Sequence, residues 1–104
     1  MISSLEKLLG TPRDGALLRY SLGLEYEKAG RAADAATQLR EALARDPLYS
    51  AAWKALGRVL SVNQPHDALE AYRQGIAAAK QKGDRQAEKE MTVFARRLEK
   101  SLKT

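Results

Sequence analysis

Leu22-Gly23-Leu24-Glu25-Tyr26 returns 34 residues later as Leu56-Gly57-Arg58-Val59-Leu60. The Leu-Gly pair is repeated outright, and Tyr26 is matched by Leu60 at the same shift. Further on, Ala35, Leu39 and Ala42 are matched by Ala68, Tyr72 and Gly75, each at a shift of 33. The loop inside the second copy is therefore one residue shorter. Small residues recur where two helices must approach closely, and large apolar ones recur where a gap must be filled. A period of this length is the signature of an array of helix pairs. One pair cannot bury its apolar side alone, so neighbours must stack.

Proline and glycine divide the rest of the chain. Breakers stand at Gly10 to Pro12, Gly30, Pro47, Pro65 and Gly83. The segments between them are rich in Ala, Leu, Glu, Lys and Arg, which favour helix. No useful length alternates in period two, so strands are not expected and the fold class is all-α. Six helices result. The first spans Ser3 to Leu9, with Ser3 or Ser4 as cap. The second spans Arg13 to Lys28 and ends at Gly30, and the third spans Ala32 to Arg45. The third stops before Asp46-Pro47, because a residue preceding proline avoids helical geometry. The fourth spans Tyr49 to Ser61, and the fifth runs from Pro65, a favoured first-turn residue, to Lys82. The sixth follows Gly83 with Asp84 as cap and reaches Leu102. Its stripe of Ala87, Met91, Phe94, Leu98 and Leu102 makes one face apolar and reads as core. The other side carries Arg85, Lys89, Arg96, Arg97, Lys100 and Lys103.

This pattern resembles the tetratricopeptide repeat, with its Trp, Leu-Gly and Tyr on one helix and Ala, large apolar, small residue and Pro on the next. The first copy reads Arg19, Leu22, Gly23, Tyr26, Ala35, Leu39, Ala42, Pro47. The second reads Trp53, Leu56, Gly57, Leu60, Ala68, Tyr72, Gly75, Lys80. Arg19 stands where the family has Trp, and Lys80 where it has Pro, so helix five is expected to outrun its usual end. The resemblance implies a stack of antiparallel helix pairs. It divides residues 1–104 into a short N-terminal helix (1–10), one repeat (16–49), a second (50–82) and a capping helix (84–102). Leu5, Leu8 and Leu9 would cover one end of the stack. Met91, Phe94 and Leu98 would cover the other.

Composition narrows the function classes. A chain of 104 residues fits one domain. No cysteine is present, which excludes disulfides, thiolate zinc and a cysteine nucleophile. The start lacks the basic and apolar run of a secretory signal, and the cytoplasm is the expected location. His66, the one histidine, sits at a turn and reads as a surface residue. With Asp67 it falls short of the three or four ligands a metal needs. No paired carboxylates or phosphate loop stand out. An enzyme is not expected, nor any cofactor. The net charge of +5 arises wholly after residue 72, where nine Lys/Arg meet four Asp/Glu. That basic end lacks the interleaved aromatics of single-strand binders, so no specific nucleic-acid binding is expected. Membrane insertion is not expected either.

Recognition of a peptide or protein remains. The resemblance implies that the first helix of each pair lines a concave groove. Leu17, Tyr20, Leu24, Glu27 and Lys28 would face it from one repeat, and Ala51, Lys54, Ala55, Arg58 and Val62 from the other. Leu18, Leu22 and Tyr26 would face the core. The apolar stripe of Leu17, Tyr20 and Leu24 has two readings: groove lining, or a seat for the N-terminal helix. Some relatives hold chaperone tails by a Lys, Asn and Arg set. The matching places here include Tyr20, Leu24 and Ala55, so that clamp is absent. The expected ligand site is Leu17, Tyr20, Leu24, Lys54 and Arg58, and the expected partner an acidic, partly apolar segment. Two alternatives stand beside it: a basic nucleic-acid-associated protein using helix six, and a weakly self-associating structural unit.

Overall fold

The computed structural model describes residues 1–103. Six helices follow one another: α1 (Ile2–Glu6), α2 (Ala16–Lys28), α3 (Ala32–Arg45), α4 (Ser50–Leu60), α5 (Pro65–Lys82) and α6 (Arg85–Lys103). No strand occurs among the described residues. The breakers act as read. Gly30 at φ +76° ends α2, and the Arg31 N–H returns to the Tyr26 carbonyl at 2.9 Å. With Lys80 in place of proline, α5 continues until Gly83 turns left-handed at φ +79°. Asp84 then serves two helices at once. Its carboxylate accepts the Ala87 N–H at 3.1 Å, capping α6, and the Ser50 hydroxyl at 2.8 Å, tying α6 to the start of α4.

α2 packs on α3 and α4 on α5 as hairpins, α4 leans on α3, and α6 leans on α5. The sequence repeat is a repeat of contacts. A Cβ on Gly23 would lie 2.7 Å from the Leu39 side chain, and one on Gly57 would run into the Tyr72 ring. Leu39 and Tyr72 occupy matching positions, so each glycine admits the large residue of its own hairpin. Leu22, Leu39 and Met91 are the largest side chains fully removed from solvent. Trp53 donates its indole N–H to the Pro47 carbonyl at 2.8 Å. Arg19, at the matching place, builds a polar substitute. Its guanidinium meets both Asp14 oxygens at 2.9 and 2.8 Å and donates to Gln38 at 3.1 Å. The paired guanidinium and the Gly10 N–H hold Asp14 down to about 2.

The N-terminal region departs from expectation. α1 ends at Glu6, and neither Ser3 nor Ser4 caps it, since Met1 holds the N-cap position without a side-chain bond. α2 starts at Ala16 rather than Arg13. Local bonds take the backbone groups a helix would have used: Gly10 N–H to the Asp14 carboxylate at 2.9 Å, and Arg13 N–H to the Thr11 hydroxyl at 3.2 Å. Tyr49 is the N-cap of α4 rather than its first residue.

Candidate functional site

The inner surface follows from which helices touch. α4 meets both α2 and α6, whereas α3 and α5 do not meet among the described residues. The stack therefore curves, with α2, α4 and α6 on its inner, concave side and α3 and α5 outside.

α1 resolves the double stripe of α2. Ile2, Leu5 and Leu9 pack on the cluster of Leu22, Tyr26 and Ala35, with Val59 alongside. Tyr26 donates its hydroxyl to Glu6, a bond that raises its pKa, and Arg31 lies 4.5 Å over its ring. Tyr20 and Leu24 instead flank the central core of α3, α4 and α5. Tyr20 meets Tyr49 with ring centroids 4.9 Å apart. Both tyrosine and leucine are half-buried, while Leu17 is 69% exposed.

Lys54 and Arg58 project from α4 and each holds a carboxylate of a neighbouring inner helix. Arg58 binds Glu27 of α2 through Nε and Nη2, both at 2.7 Å. Lys54 binds Glu90 of α6 at 2.9 Å. Sequence reading places Glu27 in the groove and takes Glu27 with Lys28, and Glu90 with Lys89, as solvated charge patterns; the carboxylates instead pair with Arg58 and Lys54 across helices. Ala51 is half-buried and lines a hollow with Lys54, Asp84 and Glu90. Lys28 is exposed and Val62 is 82% exposed. Ala55 is a correction: it is 1% exposed and belongs to the core. Its place on α4 lies between the groove stripe and the side that leans on α3, and the core takes it.

A second hollow, of about 320 Å³, is lined by Lys54, Arg58, Tyr72 and Phe94. Tyr72 is buried, and burial raises its pKa. Phe94 is half-buried, with its ring centroid 5.6 Å from that of Tyr72. The sequence reading gave both rings to the core. Each keeps one side there and turns another to the hollow, which no helical periodicity distinguishes. His66 is exposed as expected. No group of three or more His, Cys, Asp or Glu could hold a metal among the described residues, and no helix there is long and apolar enough to cross a membrane.

Comparison with known proteins agrees with this architecture. Residues 16–59 match the tetratricopeptide-repeat family model. A TPR repeat-containing protein of Pseudomonas aeruginosa is 47% identical over 102 residues, covering 97% of each chain. A solution structure of a Bordetella parapertussis protein superposes with a TM-score of 0.83 at 40% identity, covering 97% of this chain and 89% of that one. The crystal structure of a tetratricopeptide repeat domain protein from Salinibacter ruber gives 0.76 at 26% identity, covering 83% and 97%. Proteins with this repeat are generally modules for protein–protein interaction. From its sequence, its helices and these relatives, the chain belongs to the tetratricopeptide-repeat family.

Proposed function

We propose that the chain is an interaction module whose inner face, built on Leu17, Tyr20, Leu24, Lys54 and Arg58, takes an acidic, partly apolar segment of a partner protein. One observation carries the reading. Apart from Met1, the large apolar side chains left exposed are Leu17 on α2, Val62 just past α4, and Val93 on α6. None lies on the outer helices α3 and α5. Isolated exposed apolar residues are common, but their absence from α3 and α5 among the described residues favours the inner layer for contact. Tyr20 adds a ring braced by Tyr49, and rigid aromatic residues commonly carry interface energy. Lys54 and Arg58 give the face its orienting charge.

Each cation already holds a carboxylate, so reversing its charge would set it against Glu27 or Glu90. Neutralisation is the cleaner change, because exposed pairs of this kind contribute at most about 1 kcal/mol. The test is affinity capture from a lysate of the source organism. A Leu17→Asp, Lys54→Gln, Arg58→Gln variant should lose the partners that the parent captures, with an unchanged melting temperature. An outer-face variant, Thr37→Ala with Gln74→Ala, should retain them. Loss in the outer-face variant alone would move the site off the inner face.

A further inference from the structure

The hollow between α4, α5 and α6 combines features that the rest of the inner face does not share. Its lining pairs two aromatic rings, Tyr72 and Phe94, with two cations, Lys54 and Arg58. Its volume, about 320 Å³, admits a ring with a short side arm. Hydrogen-bond donors remain unused around it. Arg58 employs Nε and Nη2 on Glu27, which leaves the two N–H groups of Nη1. Lys54 gives one of its three N–H groups to Glu90. The Tyr72 hydroxyl bonds to no described residue, yet no side-chain polar atom among the described residues is both buried and unpartnered. That hydroxyl therefore reaches solvent, although the residue as a whole is 4% exposed.

We propose that this hollow is a binding subsite for a carboxylate carried on an aryl or branched-alkyl body. The carboxylate would come from a free organic acid or from an acidic residue beside an apolar one in a bound segment. The second source rests on the inner-face reading above, and the first does not. The body fits against Phe94 and Tyr72, whose rings already meet at a tilt of 43°. The carboxylate accepts from Arg58 Nη1, from Lys54 and from the Tyr72 hydroxyl, and charge-assisted bonds of this kind are the strong ones. Glu27 and Glu90 act as resting counter-ions. Their pairs with Arg58 and Lys54 are partly exposed, so an entering carboxylate displaces or shares them at small cost.

The test uses the full chain, labelled with ¹⁵N and titrated with 3-phenylpropanoate or with its uncharged analogue 3-phenylpropanol. Saturable shifts should centre on the amides of Arg58, Tyr72 and Phe94, with the acid bound about tenfold tighter than the alcohol. Arg58→Gln should erase most of that preference, and Arg58→Lys should restore part of it. A peptide arm compares acetyl-Gly-Phe-Glu-Gly-amide with its Gln counterpart. Preference for Glu at the same resonances assigns the bound segment as a source. Preference shown only by the free acid supports the subsite with that source alone. Equal affinities for acid and alcohol, shifts centred elsewhere, or no saturation would overturn the subsite. Partner capture lost in the inner-face variant alongside such a result would leave the inner-face reading standing.

Discussion

A methyl group on Gly57 would have to occupy space held by the Tyr72 ring. The ring can yield only towards the hollow beside Phe94, which would give up its packing against α4 and α6. Gly57→Ala should therefore destabilise the protein by about 1–3 kcal/mol, read as a lower urea midpoint, despite the better helix propensity of alanine. A midpoint at or above that of the parent would show that the approach of α4 and α5 is not limiting. Asp14 offers a different test at the same scale. Its ordinary value is 3.8, and Arg19 holds it to about 2 in the folded chain. A folded value below the unfolded one adds stability that is complete above about pH 4 and is lost as the pH falls towards 2. Asp84 shifts the same way, through the Ser50 hydroxyl and the Ala87 N–H. The parent's melting temperature should fall between about pH 5 and pH 2, and that of Asp14→Asn should fall less over the same window. Equal slopes would detach the Asp14–Arg19 pair from acid stability.

At the scale of elements, α6 does more than the length of the chain requires. Met91 is fully buried against Tyr72, Leu69 and Ala79, and Leu98 bridges the α5 cluster to the central core. Removing residues 84–104 should cost most of the stability, because a short array needs a polar-faced end. Met91→Ala alone should cost about 2–5 kcal/mol by leaving a cavity. Removing residues 1–10 should cost far less, since α1 has five residues and none is buried. Comparable melting losses from both truncations would refute this ranking. The elements were the most legible part of the sequence. α3 and α5 lie where their breakers put them, and the apolar stripe of α6 is the face that packs. The Gly10–Asp14 turn was not legible. Its geometry depends on an aspartate that bonds backward to Gly10 and forward to Arg19, and periodicity carries no record of either.

At the scale of the whole molecule, the period of the Leu-Gly pair foretold the stack, but not which side chains would meet across its inner face. Arg58 and Glu27 are 31 residues apart and Lys54 and Glu90 are 36 apart. Those spacings fall either side of the repeat length, so pairing depends on how each inner helix is rotated against the next. The same rotation takes Ala55 into the core and opens the hollow beside Tyr72. Charge is simpler. Lys80, Lys82, Arg85, Lys89, Arg96, Arg97, Lys100 and Lys103 are exposed and carry no ion pair among the described residues. Phe94 lines the hollow beside Tyr72 rather than the side of α6 that carries these cations, so they have no stacking platform among them. Duplex and single-stranded DNA should bind only weakly, without sequence preference, and should release steeply as salt rises. Sequence-selective binding that persists at physiological salt would assign α6 a nucleic-acid role.

The most direct test of the inner-face reading places a photo-crosslinking phenylalanine analogue at one position at a time. Leu17 and Val62, 69% and 82% exposed, report on the inner layer. Thr37 and Gln74, exposed on α3 and α5, report on the outer one. On irradiation in a lysate of the source organism, Leu17 and Val62 should yield a discrete adduct with a shared partner, and Thr37 and Gln74 should yield none. The same adduct formed from Thr37 and Gln74 but not from Leu17 or Val62 would contradict the account.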